Sequence, residues 1–321
     1  MSGARTSWIP PALAQARARA IRNLRYELDF EIDRPGRVLT GRQRMVLDLE
    51  DSAAREDLVL DWRPERGSEA PGVVRKSLRV NDAYLRPGAI RIGDGHVVIA
   101  GRHLQPGRNR IELSWTAPIR AAGSALTRYR DDDGHLYVYT LFVPADASTV
   151  FPCFDQPDLK ACFVLALTIP TAWRAVANAP LVHVEPRGGF RCFRFAPTES
   201  ISSYVFAFAA GPFVALGSQP SAGSLWVRRS QLRRARPHCA EVLALNARAL
   251  RYFARYFDHR FAFAKYDLVA IPDLPYRGME HAGATFLAEK DVFPATPWHI
   301  ARWGRAQLLF HESAHQWAGN L

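Results

Sequence analysis

Residues near the end of the chain have the types and spacing of a metal site that activates water. His311 and His315 lie four positions apart in HESAHQWAGN (311–320), and Glu312 follows the first histidine. On an α-helix such residues share a face, so both imidazoles can reach one ion, whereas Glu312 points about 100° away. The pattern predicts Zn²⁺ bound by the two histidines, with Glu312 as general base for a zinc-activated water.

Two upstream segments carry residues that could take part in the same chemistry. RGMEH (277–281) contains Glu280, and the carboxylate of Glu280 could pair with the free α-ammonium of a peptide. FPCFDQPDLKACF (151–163) lies further upstream. An HExxH pattern alone arises by chance in roughly a few per cent of chains of this length, so the functional prediction depends on all three segments together.

These segments resemble the M1 family of zinc aminopeptidases, the gluzincins. The family's zinc helix reads HExxHxWxGN or HExxHxWxGD, and residues 311–320 match it without a departure. Its upstream loop reads GxMEN, of which Met279 and Glu280 are retained here, while Arg277 replaces the first glycine and His281 the asparagine. The segment 151–163 is similar to the family's FPCFDEPxxKAxF.

The resemblance implies a zinc-dependent metallo-aminopeptidase that removes N-terminal residues from peptides with a free N-terminus. It makes Glu280 the anchor of the substrate's amine, with Gly278, Met279 and His281 as further substrate-binding residues. The family's third zinc ligand is a glutamate on a later helix, and a tyrosine further on stabilises the oxyanion. Both are expected beyond Leu321, so we expect this chain alone to be inactive.

One segment departs from the family in a way that bears on specificity. TLFVPADA (140–147) has Leu141 and Val143 where the family usually offers a glutamine and a glutamate to the substrate's amine. Loss of a carboxylate there removes a charge-assisted hydrogen bond. This leaves open a metallopeptidase with relaxed or endopeptidase-like specificity, and a non-catalytic M1-like interaction module.

Hydrophobic periodicity predicts the elements that must position these residues. Residues 26–32 and 110–116 alternate apolar and polar side chains, which is typical of half-buried strands. We therefore predict a mixed fold, with an N-terminal antiparallel all-β, saddle-like domain over residues 1–217. The start of a thermolysin-like α/β catalytic domain follows over 218–321.

The second domain is predicted to contain two helices around a strand. A buried-face helix begins at Pro237, a strand covers 265–272, and the last helix starts near Thr296 and Pro297, where threonine can cap and proline suits the first turn. SQPSAGS (218–224) is interpreted as the connector between the domains. In the zinc helix, Trp317, Gly319 and Asn320 are interpreted as packing and helix-end residues.

Composition limits the other function classes. The formal net charge is +11, but the densest basic cluster, RRSQLRRARPH (228–238), lacks interleaved aromatic residues, so we expect no nucleic-acid partner. The longest nearly apolar stretch (204–217) is shorter than the ~20 residues of a membrane span. No secretory signal precedes the first strand, which predicts a cytoplasmic protein unless a signal has been removed.

Overall fold

Alternating burial along the first long strand, β1 (Ile21–Ile32), confirms the predicted period of two. Tyr26, Leu28 and Phe30 are buried, and the intervening acids Glu27 and Asp29 are half-buried. The apolar side chains lie in the main core of the molecule, where Tyr26 stacks on one phenylalanine and Phe30 meets the edge of a tryptophan. One face of this strand therefore builds the core, and the other carries charge.

The structure is a computed structural model that describes residues 9–64, 72–73, 78–121, 123–219, 223–294 and 299–321. Its α-helices are α1 (Pro11–Ala20), α2 (Leu232–Tyr256), α3 (Glu289–Val292) and α4 (His299–Ala314). The strands that follow β1 are β2 (Val38–Leu49), β3 (Leu58–Asp61), β4 (Gly72–Val73), β5 (Arg79–Val80), β6 (Ala83–Tyr84), β7 (Ile90–Gly93), β8 (His96–Ile99), β9 (Gly107–Pro118), β10 (Leu126–Arg130), β11 (Leu136–Thr140), β12 (Cys162–Pro170), β13 (Arg174–Ala177), β14 (Leu181–Arg187), β15 (Phe190–Phe195), β16 (Phe208–Gly211), β17 (Phe213–Gln219), β18 (Gly223–Arg228), β19 (Asp267–Ile271), β20 (Gly278–Met279) and β21 (Ala284–Ala288).

Within the described residues, the N-terminal domain is built on a nine-stranded sheet. Its order is β14-β15-β12-β1-β2-β9-β5-β6, with β4 also paired to β9. The predicted antiparallel β-domain is confirmed, with one exception: β1 and β12 run parallel in the middle of the sheet. A parallel pair requires a crossover connection, and the long chain segment between these two strands provides it.

The second domain has a five-stranded sheet in the order β17-β18-β19-β21-β20. The strands β18, β19 and β21 are parallel, as expected for the start of an α/β domain, and helix α2 packs on β17 and β18. The first strand of this sheet begins at Phe213, so the predicted boundary between 217 and 218 falls inside β17. The predicted connector is a β-hairpin between β17 and β18, and its residues 220–222 lie outside the described residues.

Helices α2 and α4 pack against each other and carry the site. Helix α2 begins at Leu232 rather than at Pro237, so the proline lies inside the helix in its second turn, where it forgoes one i→i−4 hydrogen bond. The predicted start of the last helix, at 296–297, lies outside the described residues, and the described part of α4 runs from His299 to Ala314. Among the described helices, none combines the length and the apolar character that a membrane crossing requires.

A buried ion cluster joins the two domains. Arg228, at the end of β18, makes a bidentate pair with Glu289 at 2.6 and 2.7 Å and contacts Asp131 of the β-domain at 2.6 Å. All three side chains are less than 9% exposed. Lys160, from the FPCFDQPDLKACF segment, adds a second link by donating to the carbonyl oxygen of Asn320 at 3.2 Å. The β-domain thus touches the end of the segment that carries the histidines.

Candidate active site

The two histidines of the predicted zinc site present their Nε2 atoms to each other. His311 lies in the last turn of α4 and His315 just after it, with the backbone N–H of His315 still pointing at the carbonyl of His311. The Nε2 atoms are 3.3 Å apart. Two nitrogens that each lie 2.0–2.1 Å from a tetrahedral ion are about 3.3 Å apart, so this donor pair fits zinc.

A backbone carbonyl sets the tautomer of the second histidine. Nδ1 of His315 lies 3.2 Å from the carbonyl oxygen of Ala318, an oxygen that can only accept. Nδ1 therefore carries the proton, and the lone pair of Nε2 is left for a metal. A hydrogen bond of this kind also fixes the orientation of a ligating imidazole.

Glu312 is buried beside the histidine pair. Only 4% of the residue is exposed, and burial, with a smaller contribution from the charge of Glu280, raises the pKa of its carboxyl to about 8. The guanidinium of Arg277 acts in the opposite direction. A carboxyl in this setting holds protons more strongly than a solvated one, which suits a general base.

A cavity of about 560 Å³ opens beside these residues. Glu280, His311 and Glu312 share its wall, so the structure brings together the predicted base, one predicted zinc ligand and the predicted amine anchor. The wall is completed by other residues of the β20 region, of α4 and of the β-domain, namely Val143, Tyr276, Arg277, Gly278, Met279, Gln307 and Leu308.

Gly278, at the start of β20, allows Glu312 to approach the cavity wall. A Cβ atom at position 278 would overlap the carboxylate of Glu312, so any larger residue there would displace the base from its present position. Met279 is buried in β20, and Glu280 follows it with a half-buried side chain. The backbone of β20 therefore forms one side of the space in which a substrate would lie.

His281, a predicted substrate-binding residue, is not among the residues that line this cavity. Its ring is 0% exposed and lies edge-on to Phe286, with ring centroids 4.5 Å apart. Neither ring nitrogen has a hydrogen-bond partner among the described residues, and burial lowers the pKa of His281 to about 3. The ring is therefore neutral and packed in the protein, and a contact between this ring and a substrate stays a prediction.

Sequence reasoning assigned no role in the site to three residues that lie there, although it interpreted Asn320 as a packing or helix-end residue. The side-chain amides of Gln316 and Asn320 both donate to the carbonyl oxygen of Glu280, at 3.0 and 2.8 Å. Tyr204 of the β-domain lies close to Glu280, and its pKa is raised by burial and further by that charge. The motif HESAHQWAGN contains both amides, but only the folded chain reveals what they bind.

Over the described ranges, no three histidine, cysteine, aspartate or glutamate side chains gather into a cluster that could hold a metal. His311 and His315 therefore form a pair rather than a complete zinc site within this part of the molecule. The third ligand expected beyond Leu321 stays a prediction.

Both domains of the chain match models of known protein families. Residues 22–205 match the Peptidase M1 N-terminal domain, and residues 242–321 match the Peptidase family M1 domain. The second match contains the histidine pair, Glu312 and Glu280.

Individual relatives give the same result. The chain is 33% identical to aminopeptidase N of Streptomyces lividans over 71% of its own length and 26% of that protein. It is 31% identical to aminopeptidase M1 of Arabidopsis thaliana and 32% identical to endoplasmic reticulum aminopeptidase 2 of Homo sapiens, in each case over 57% of this chain. These alignments cover 21% and 19% of the two relatives, so the chain spans about a quarter or less of the length of each. By its two domain matches, the chain belongs to the M1 peptidase family.

Proposed function

We propose that the protein containing this chain is a zinc-dependent aminopeptidase that removes N-terminal residues from peptides. The observation that carries the proposal is the pair of histidine Nε2 atoms, 3.3 Å apart, next to Glu312 and on the same cavity wall as Glu280. A base, an electrophile-binding pair and a carboxylate for a free amine are the parts that this reaction requires.

Each residue has a separate role in the proposed mechanism. A zinc ion held by His311 and His315 would polarise the substrate carbonyl and lower the pKa of a water molecule. Glu312 accepts the proton of the attacking water on a carboxylate oxygen and then delivers it to the leaving amine nitrogen. Its raised pKa suits it to both the basic and the acidic half of this cycle.

Glu280 is proposed to bind the substrate's α-ammonium and so to select the first peptide bond. A half-buried carboxylate pairs with an ammonium more strongly than a solvated one, because less water screens the charges. The names of the relatives, all aminopeptidases, support this assignment. Gly278, Met279 and His281 are proposed to support substrate binding around this anchor.

A second candidate, peptidase activity with relaxed amine selectivity, is favoured by Val143. This side chain lines the cavity at a position where the family usually has an acid. A substrate ammonium in the cavity would therefore meet the carboxylate of Glu280 and, from the β-domain, an alkyl group instead of a second carboxylate. Glu312 and the two histidines suit catalysis, which argues against a non-catalytic interaction module.

The test is hydrolysis by the longest natural form of the protein, loaded with zinc. A panel of aminoacyl-arylamides and of unblocked and N-acetylated peptides separates the candidates. Faster cleavage of unblocked substrates supports the aminopeptidase, and equal rates support relaxed selectivity. A folded, zinc-loaded protein that cleaves nothing on the panel contradicts both.

A further inference from the structure

The loop that follows β20 is held by hydrogen bonds at almost every peptide group. The carbonyl oxygen of Glu280 accepts two side-chain amides, that of Ala282 accepts Nδ2 of Asn178 at 2.8 Å, and that of Gly283 accepts Nζ of Lys265 at 2.9 Å. The backbone N–H of Gly283 donates to Gln316 at 3.2 Å. This loop, residues 280–283, is therefore fixed from several directions.

Two of these contacts come from the segment that carries the histidines. Gln316 follows His315 directly, and its Nε2 donates to the carbonyl of Glu280 while its Oε1 accepts from the N–H of Gly283. Nδ2 of Asn320 donates to the same carbonyl oxygen of Glu280 at 2.8 Å. Both amide side chains are only 1% exposed, so water does not compete for these bonds.

We propose that Gln316 and Asn320 are positioning residues that fix the amine anchor at a set distance from the metal-binding histidines. The proposal rests on the proposed function, because it assigns to this pair the spacing that limits cleavage to the first peptide bond. The histidines and the two amides belong to one short segment, and the amides bind the backbone of the residue that bears the anchor. The anchor and the histidines therefore move together.

The β-domain supports this arrangement from the other side. Lys160 donates to the carbonyl oxygen of Asn320, and Asn178 binds the loop at Ala282. Lys160 and Asn178 both belong to the N-terminal domain. The segment 316–320 and the loop 280–283 are therefore each hydrogen-bonded to that domain. The spacing between anchor and histidines thus depends on buried polar contacts rather than on the short strand β20 alone.

The chemistry of the amides suggests isosteric variants. Gln316→Glu keeps the oxygen that accepts from Gly283, but replaces the Nε2 donor with a carboxylate oxygen that faces the carbonyl of Glu280. Asn320→Asp does the same at the second bond. Each variant keeps the size of the side chain and, at a pH where the new carboxyl is ionised, removes the donated hydrogen. Trp317→Phe is the matched control, because it removes a part-buried hydrogen bond from the same segment, the one that Nε1 donates to the carbonyl oxygen of His259.

The first measurement is amide hydrogen exchange of the loop in the longest natural form of the protein. We expect peptides covering residues 278–284 to exchange at least about tenfold faster in Gln316→Glu and Asn320→Asp, and to remain unchanged in Trp317→Phe. Zinc content should stay at the wild-type level in all three. Unchanged loop exchange in both amide variants would overturn the proposal. This measurement does not require the protein to be catalytically active.

The second measurement is the ratio of kcat/KM for an unblocked peptide to kcat/KM for its N-acetylated form. We expect this ratio to fall at least about tenfold in both amide variants, mainly through KM of the unblocked substrate, and to be unchanged in the control. A looser loop with an unchanged ratio would show that the amides brace the loop without setting the anchor, which also overturns the proposal. If the wild type cleaves nothing, the proposed function fails, and with it the assigned spacing, whereas loop exchange still decides whether the amides fix the loop.

Discussion

The carboxylate of Glu312 lies against the backbone of Gly278, so that even a methyl group at position 278 would overlap it. The proposed base and the proposed substrate-binding strand therefore share one tight contact. A larger side chain at position 278 is therefore expected to shift the carboxylate of Glu312.

We expect Gly278→Ala to lower turnover by about 10²-fold, the cost typical of displacing a catalytic group by about 1 Å. The fold should persist, because Glu312 can shift toward the cavity. Gly304→Ala is the control: it lies in α4 and its added methyl would meet only the end of Arg277 at 3.4 Å. Steady-state kinetics of both variants check this, and equal turnover in the two would contradict it.

Glu312→Gln should keep zinc and fold while turnover falls by about 10²–10⁴-fold, because an amide cannot accept the proton. His311→Ala should lose zinc together with activity, since one imidazole remains of the pair. Metal analysis and kinetics on the same preparations separate the two effects. Undiminished turnover in Glu312→Gln would place the base elsewhere.

Glu280→Ala should cost activity on peptides with a free N-terminus far more than on N-acetylated ones. The cavity wall carries an alkyl group at Val143, so Glu280 is expected to supply most of the recognition of an ammonium. The loss is expected mainly in KM for the unblocked substrate. An equal loss on both substrates would make Glu280 a structural residue.

His281 should make the protein less stable as the pH falls. Its folded-state pKa of about 3 lies below the unfolded value near 6.5, so between these values the unfolded chain binds a proton that the folded chain excludes. The free energy of unfolding should therefore decrease by about 1.4 kcal/mol per pH unit from this group as the pH falls through that window. Urea unfolding of wild type and His281→Leu at several pH values measures it. Parallel curves for the two proteins would contradict the buried, unpaired imidazole.

Arg228→Met should destabilise the protein by about 3–5 kcal/mol, because it leaves Asp131 and Glu289 buried without their partner. Arg302→Met, which removes a pair with Glu241 from a side chain that is 57% exposed, should cost less than about 1 kcal/mol. Denaturant unfolding compares them. Similar losses in the two variants would mean that the buried cluster does not join the domains energetically.

Sequence patterns within a single helix or strand predicted the features that depend on the geometry of that element alone. The alternation along β1 and the histidine spacing of HESAHQWAGN each follow from the period of one element, and the structure places these residues accordingly. The parallel pairing of β1 with β12 joins segments far apart in sequence, and the hydrophobic periodicity of either segment does not indicate which strand it pairs with. The burial of His281 against Phe286 and the contacts of Gln316 and Asn320 likewise arise from tertiary packing, which the sequence does not display.

The passage from β16 to β17 has a mechanical consequence. Strand β16 ends at Gly211 in the β-domain and β17 begins at Phe213 in the five-stranded sheet of the second domain, so a single buried proline, Pro212, separates them. This joint is a single residue long, and Arg228 of the ion cluster lies opposite Phe213 in the pairing of β17 with β18. Val143 and Glu280 both line the cavity and lie on opposite sides of this joint along the chain, so we expect a change at Pro212 to alter how the two cavity walls are placed.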